Sequence, residues 1–460
     1  MAIILCEKEN FAEQDLGKKL GNKAVVFTSD YFAGKDFLKR YANENYEYFY
    51  LYDNQIYSLQ KSDDVKIVQN KLLANKDYTE AKNFNEFLIN VTRIKKLSRW
   101  LFYPMIIQLE HTNRCNARCI MCGHANVDKS KCYDMSTTVF EKIEALLPFC
   151  KYVGLHGYGE PFLTKNLLDI FKVYKKYNVR LYANTNLSYL PEKYIPYIAD
   201  MFDELNISID GFTKPTFEKI RVGISFDDVI KNIKCVIESC PNVILNLHTT
   251  LMRQNILEAD MAIDFAHEKG IKKVVFSEMI PLDANKNSGD SLVNYPAATS
   301  HMLELAIKKA RKFDMQIVYP QKLIGEFDDA EIKAQILEIK SLNDNDVNAN
   351  KELVIREDGL LFNRKLLSPD DIGNSGISCK GICDVFQQQI YVDADGTMAA
   401  CCVDGFHSTG NIIDISNIEE YWDSEQVKLL ADAFNSGTLP SICKQCNYVF
   451  LNNLKHLHIV

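Results

Sequence analysis

The chain has 460 residues, 47% hydrophobic and 25% charged, with 61 acidic side chains against 53 basic ones and a formal charge of -8. That length and apolar content suit a folded protein of two or three domains and exclude a disordered or collagen-like chain, while the acidic balance argues against electrostatic binding of nucleic acid. No apolar run reaches the roughly 18 to 20 residues of a spanning helix, and Met1–Asn10 lacks a basic start and apolar middle, so a cytoplasmic protein without a membrane partner is expected.

Residues 1–98 read as a small α+β domain of unassigned role. An apolar run at Lys23–Phe27 precedes an alternating stretch, Tyr46–Leu59, whose Asp53-Asn54 centre predicts a hairpin turn. Tyr46, Tyr48, Tyr50 and Tyr52 share one strand face, which serves packing or, alternatively, recognition. Over residues 99–322 six strand-like runs alternate with helical stretches: Met105–Glu110, Tyr152–Leu155, Val179–Ala183, Leu205–Ile209, Val243–His248 and Lys273–Phe276. Such βα units wind right-handed into a parallel sheet, and a curved six-strand version is an open barrel with its site at the carboxyl ends of the strands. Residues 283–296 have loop composition, and a helix is predicted over Ala297–Phe313. The stretch 323–376, with a charged helical run at Asp328–Lys340 and a polar run at Asn343–Asn350, reads as a connector or lid. It leads into a cysteine-rich module at 377–460.

Fourteen cysteines are present, and seven of them fall into two groups with metal-ligand spacing. The others, Cys6, Cys132, Cys150, Cys235, Cys240, Cys379 and Cys402, read first as small buried hydrophobes. The first group, Cys115, Cys119 and Cys122, forms C-x3-C-x2-C on the loop after the first barrel strand. Three soft thiolates suit three corners of an iron-sulfur cube and leave one iron open; the alternative is a zinc knot completed by His111 or His124. Farther along, Gly157-Tyr158-Gly159-Glu160-Pro161 follows the second strand. Asn184, Thr185 and Asn186 end the third, Ser208 and Asp210 end the fourth with Arg221 beyond, and Thr250, Met252 and Arg253 end the fifth.

This order of motifs resembles the radical S-adenosylmethionine (radical SAM) superfamily over residues 105–320. Met121 stands where that family often has an aromatic residue. The resemblance implies a partial (β/α)6 barrel, an α/β fold, in which Cys115, Cys119 and Cys122 hold a 4Fe-4S cluster and SAM chelates its open iron. It further implies that the backbone around Gly157, Tyr158, Gly159 and Glu160 meets the methionyl amino group. Ser208, Asp210 and Arg221 would contact ribose and carboxylate, and Asn184 would belong to the same polar rim. Asp210 reads equally as a cap before Gly211. One-electron cleavage of SAM, by a reductant such as flavodoxin or ferredoxin, would yield a 5'-deoxyadenosyl radical that abstracts hydrogen from substrate.

The second group has the form C-x12-G-x4-C, from Cys383 through Gly396 to Cys401, with a later C-x2-C at Cys443 and Cys446. Gln388–Val392, Asp393–Gly396 and Thr397–Ala400 read as strand, turn and strand of a hairpin, and Ile418–Phe434 as a helix that returns the chain. A four-cysteine zinc ribbon fits this spacing. After a radical SAM barrel, however, it resembles the twitch module, the short form of the SPASM domain, which implies one auxiliary 4Fe-4S cluster, since no cysteine follows Cys446. Cys379 is a possible alternative ligand, and Cys402 and Cys235 are candidate hydrogen-atom donors.

Three functions remain open at this point: oxidation of a small molecule such as a sugar or other alcohol, maturation of a peptide or protein (thioether, crosslink or epimerisation), and a zinc-bearing binding protein. Oxidation suits an auxiliary cluster that accepts an electron. It also needs a base, for which His156, Glu278 and Arg253 stand at strand ends, Arg253 rather as an anion clamp. The arginines are scattered and form no evident phosphate site.

Overall fold

The computed structural model describes residues 3–5, 24–28, 45–53, 55–97, 99–279, 288–320, 323–345, 365–366, 388–400 and 407–436. Near the amino terminus β1 (Ile3–Leu5), β2 (Ala24–Thr28), β3 (Glu47–Tyr52) and β4 (Gln55–Ser58) form a four-stranded sheet in chain order, parallel until the closing β3–β4 hairpin. Asp53 turns that hairpin at φ 52°, a left-handed conformation that Asp tolerates through local hydrogen bonding. The period-two tyrosines are packing residues. Tyr48 and Tyr50 are buried, and the Tyr50 ring meets Phe84 edge-on at 4.8 Å.

Two helices cover this sheet, α1 (Ser62–Asn75) and α2 (Tyr78–Lys95). α2 starts at Asp77, whose carboxylate accepts the Glu80 N–H, and stops at Lys96 in the left-handed region. Its buried face does more than close the small core. Lys82, 5% exposed, directs its ammonium at the carbonyls of Tyr177 (2.5 Å) and Asn178 (2.6 Å), which end the barrel helix Leu167–Lys176. Asn85 donates to the carbonyls of Tyr103 and Phe149 and accepts the Tyr103 N–H. Polar side chains satisfying buried carbonyls thus join the first ninety-odd residues to the barrel.

The barrel strands are β5 (Ile106–Leu109), β7 (Tyr152–Leu155), β8 (Arg180–Thr185), β9 (Phe202–Ser208), β11 (Ile244–Leu251) and β12 (Lys273–Glu278), all parallel and adjacent in chain order. They are the six runs read from the sequence. A short β13 (Gln316–Val318) follows the helix Pro296–Lys312 and adds a seventh parallel strand beside β12. On the other edge β15 (Gln389–Val392) runs parallel to β5 and turns through Gly396 into the antiparallel β16 (Thr397–Ala399), followed by β18 (Gly410–Asn411). One ten-stranded sheet therefore carries both the barrel and the start of the C-terminal module.

Alternation sorts the strand side chains. Leu205 and Ile207 on β9, and Leu245, Leu247 and Leu251 on β11, are buried in the helix-side core, whereas Glu204, Asn206 and Ser208, and Asn246, His248 and Thr250, belong to the lumen face. The charged run read at Asp328–Lys340 is a helix, Asp329–Asn345. The single helix expected over Ile418–Phe434 is two, Ile418–Trp422 and Glu425–Ser436, because the Ser424 hydroxyl caps the second at the Val427 N–H. Trp422 fixes the first by donating to the Phe102 carbonyl at 2.8 Å. Among the described residues no helix is long and apolar enough to cross a membrane.

Replacing Lys82 by Met keeps the apolar stem and removes the charged donor from two buried carbonyls. The unfolding free energy in urea should fall by about 2–3 kcal/mol, and an unchanged midpoint would show that the ammonium contributes nothing to the docking of α2.

Candidate functional site

The three-cysteine loop leaves β5 at its carboxyl end and is held from both sides. Asn113 and Tyr133 exchange hydrogen bonds (Asn113 N–H to Tyr133 carbonyl 3.1 Å, Tyr133 N–H to Asn113 Oδ1 2.7 Å), which closes the loop on itself. A two-residue β6 (Arg118–Cys119) pairs antiparallel with β10 (Arg221–Val222), so Cys119 lies opposite Arg221. Burial, with Glu160 adding to the effect on Cys115 and Cys119 to that on Cys122, pushes the Cys115 and Cys122 thiols up to about 12. They become ligands only where a positive centre stabilises the thiolates.

Among the described residues no three His, Cys, Asp or Glu side chains are placed to hold a single metal ion. Both histidines considered for a zinc knot have their Nε2 engaged by a neighbour. His111 Nε2 hydrogen-bonds the Tyr174 hydroxyl and His124 Nε2 the Asn113 carbonyl, each at 2.5 Å. A donor set of three soft thiols on one short loop fits the cube corners of a 4Fe-4S cluster.

The glycine loop after β7 packs directly on this segment. A Cβ on Gly157 would overlap the Glu110 side chain, and one on Gly159 the Thr112 carbonyl oxygen, so only glycine permits the approach. Glu110 Oε2 accepts the Tyr158 N–H at 2.6 Å, and the Glu160 N–H donates to the Arg114 carbonyl at 2.8 Å. The Glu160 carboxylate is itself buried, accepting from the Thr185 hydroxyl (2.6 Å) and the Asn186 N–H (2.8 Å) while burial pushes its pKa up to about 7. Asn186 continues to Asn116 on the cysteine loop at 3.0 Å. Thus Thr185 and Asn186 belong to this network, whereas Asn184 faces the lumen and joins Asn206.

Asp210 and Arg221 form a buried ion pair at 2.6 Å, and Arg221 Nη1 also reaches the Cys119 sulfur at 3.7 Å. Asp210 Oδ1 accepts the Thr250 N–H at 2.7 Å. Asp210 is not the helix cap considered from sequence: Thr213 caps the helix Lys214–Ile220 instead. Ser208 ends β9 on the lumen face. Met252 packs with Ile220, Met279, Ile120 and Met121, so the residue that departs from the aromatic pattern lies in an apolar patch behind the loop.

The sixth strand places Glu278 in register with Leu251, hence on the helix-side face opposite Ser277 and Thr250. Arg253 holds Asp290 at 2.7 Å and Asn343 at 2.6 Å, tying the helix Asp329–Asn345 to the strand end rather than presenting a free anion clamp. His156 is buried between the rings of Tyr182 and Tyr391, at centroid distances of 5.9 and 6.2 Å, and burial pulls its pKa down to about 4. Cys235 lies on the helix Phe226–Ser239, whose Val229, Ile233 and Val236 are buried, and so belongs to the outer layer away from the strand ends. Cys379, Cys383, Cys401, Cys402, Cys443 and Cys446 lie outside the described residues. Glu110, unmarked in sequence, is the main addition; its only local signal was its place at the end of the first strand.

A family profile for the radical SAM superfamily matches residues 109–266, and one for an iron-sulfur cluster-binding domain, SPASM, matches residues 383–447. The chain belongs to the radical SAM superfamily. Its C-terminal segment is a SPASM or twitch-like domain, and its cofactors are 4Fe-4S clusters and SAM. In sequence it is 27% identical over 182 residues to the probable GTP 3',8-cyclase of Sulfurisphaera tokodaii, covering 38% of this chain and 56% of that protein. To the probable GTP 3',8-cyclase of Saccharolobus islandicus it is 25% identical over 229 residues, covering 48% and 72%. The match thus spans little more than half the length of the first relative. Among solved structures, Streptococcus suis SuiB bound to S-adenosylmethionine shares the fold with a TM-score of 0.50 at 12% identity, over 85% of this chain and 86% of that one.

Gly159→Ala tests the packing of the two loops in this radical SAM chain. The forced shift of the cysteine loop should cost about 1–3 kcal/mol and sharply reduce iron bound at Cys115, Cys119 and Cys122, with far-ultraviolet circular dichroism retained. Full iron loading of the variant would show that the loops are not coupled.

Proposed function

We propose that the chain is a radical SAM oxidoreductase that dehydrogenates a polar small molecule, a sugar or other alcohol, held in the barrel lumen. The observation that supports this reading is the convergence, at one end of the barrel, of the three-thiol loop, the glycine loop packed on it and the Arg221–Asp210 pair, over a lumen faced by amides, imidazoles and a carboxylate. Cys115, Cys119 and Cys122 would hold the SAM-binding cluster, and Cys383, Cys401, Cys443 and Cys446 the auxiliary one. When bound, these groups supply reductive cleavage of SAM to methionine and a 5'-deoxyadenosyl radical and an acceptor for the electron the substrate gives up.

The chain's own residues position and protect. Gly157 to Glu160 offer close backbone approach beside the cysteine loop, and Ser208 stands at the neighbouring strand end on the lumen side. Dehydrogenation of an alcohol removes a hydrogen atom from carbon, a proton from oxygen and one electron, and the proton needs a local acceptor. His156 fits that role. Its imidazole is neutral because burial opposes its charge, and it stands at the end of the second barrel strand between the rings of Tyr182 and Tyr391. The curated relatives are named for GTP, yet Arg114, Arg221 and Arg253 are engaged by Asp134, Asp210 and Asp290, which favours a substrate without a triphosphate.

Anaerobic reconstitution should give about eight irons per chain, falling to about four with loss of 5'-deoxyadenosine in Cys115→Ala/Cys119→Ala/Cys122→Ala. Zinc without SAM cleavage would overturn the reading, and turnover of a peptide in place of an alcohol would transfer it to maturation.

For His156→Gln, SAM cleavage should persist while product formation falls about 10²–10⁴-fold. With its pKa near 4, His156 stays unprotonated from pH 8 down to pH 5, so the wild-type profile should show no limb near the ordinary histidine value and lose activity through this group only as pH falls toward 4. A protonation step near 6.5 that disappears in the variant would remove His156 from the role.

A further inference from the structure

Resting on the assignment of Gly157 to Glu160 as the segment that meets SAM, we propose that Glu110 is a positioning residue for this cofactor. It fixes the direction of the Gly157 carbonyl, an acceptor for the methionyl ammonium, and links that direction to the seating of the C-terminal hairpin. Glu110 is 6% exposed and stands where β5 gives way to the cysteine loop. Three parts of the site meet at this one residue. Its Oε2 accepts the Tyr158 N–H at 2.6 Å, its backbone N–H donates to the Val392 carbonyl at 2.9 Å, and the chain beyond it runs directly to Cys115.

A trans peptide carries its C=O antiparallel to its N–H. By holding the Tyr158 N–H, Glu110 therefore also sets where the other end of the same peptide, the Gly157 carbonyl, points: away from β5. Gly157 is exposed, so a ligand can reach this peptide. An ammonium brings three donors and no acceptor, and a carbonyl whose direction is already fixed serves it without reorganisation. The peptide is not free to turn over. A Cβ on Gly157 would overlap the Glu110 side chain, which shows how closely that side chain fills the space beside the loop, and Tyr158 packs on Val127 and Cys132 from the cysteine-loop side.

The link to the C-terminal module runs through the backbone of the same residue. β15 lies parallel to β5 with Val392 opposite Leu109, and the Glu110 N–H extends that ladder by one bond. Beyond Val392 the chain turns at Asp393–Gly396, with Asp395 Oδ1 accepting the Thr397 N–H at 2.8 Å and Gly396 at φ 88°. Burial raises the Tyr133 pKa, and Asp395, Glu110 and Asp393 raise it further, so the turn and Glu110 surround one hydroxyl on the segment that closes the cysteine loop. A displaced hairpin therefore moves Glu110, and with it the Tyr158 peptide. Gly396 gives a handle on this from a distance: a Cβ there would lie 2.8 Å from Asn411 Oδ1 and 3.1 Å from Val139 Cγ2, in a left-handed conformation that disfavours a side chain.

The test is the SAM dissociation constant, by equilibrium dialysis on the reconstituted full-length protein, with iron content and circular dichroism measured on the same preparations. Glu110→Ala should weaken SAM about tenfold or more, whereas Glu110→Gln, which keeps an acceptor for the Tyr158 N–H, should stay within about threefold of the wild type. Gly396→Ala should weaken SAM in the wild-type background and add little to Glu110→Ala, because both act through one contact. SAM affinity unchanged in Glu110→Ala, or lost equally in Glu110→Gln, overturns the positioning role. Losses from Gly396→Ala and Glu110→Ala that simply add, or no loss from Gly396→Ala, overturn the link to the hairpin. Where Glu110→Ala loses its iron or its fold, Glu110→Asp decides, since it keeps the charge and draws the acceptor back by one methylene; unchanged SAM affinity there overturns the proposal equally. No SAM binding by the wild type defeats the underlying assignment instead.

Discussion

Glu160 is the side chain on which the geometry of the site depends. Its backbone N–H is bonded to the cysteine loop through Arg114, and its carboxylate is bonded to the end of the next strand through Thr185 and Asn186. A carboxylate taken fully out of water is tolerated only when hydrogen bonds replace its hydration, and here they come from groups at the strand end it must align. The same residue therefore sets the height of the cysteine loop relative to β8. Glu110 does the equivalent for β5 and β7 by accepting the Tyr158 N–H.

The Arg221–Asp210 pair solves a different problem, that of charge. Asp210 is wholly buried, and its ionised form is opposed by desolvation and supported by Arg221 and the Thr250 N–H. Arg221 in turn stands beside the Cys119 sulfur, so its guanidinium lies between one fixed anion and a group that is anionic when it serves as a ligand. Buried pairs of this kind add little to stability by themselves, but removing one member strands the other. Pairing of β10 with β6 makes the arrangement inseparable from the fold of the loop, because the arginine and the cysteine occupy opposed positions of one short ladder.

Much of this was legible from sequence where the signal is local. Cysteine spacing, the glycine loop and period-two apolar runs are short-range patterns, and the barrel strands fall where alternation placed them. What escaped depends on register or on distant partners. Asn184, Asn206 and Asn246 lie on separate βα units, and nothing near any of them marks it as a neighbour of the others until the strands are paired. Asp210 had equal claims as a cap and as a ligand contact; its partner, Arg221, was named, but the ion pair arises only when β10 folds back on the cysteine loop. Glu278 looked like an inward strand-end acid because its face is fixed by a register that the sequence does not display. The helix after Ile418 was drawn through Ser424 because apolar periodicity continues across it, while a hydroxyl cap interrupts the backbone.

The sheet topology also relates the two cysteine groups. β15 is parallel to β5, with Gln389 opposite Ile106, and β16 runs back so that Ala399 returns to Tyr391. The described strand ends that lead toward Cys383 and Cys401 are therefore at the amino-terminal edge of the barrel, whereas β5 leads to Cys115 from its carboxyl edge. Tyr391, in register with Gln108, makes the C-terminal module part of the lumen wall.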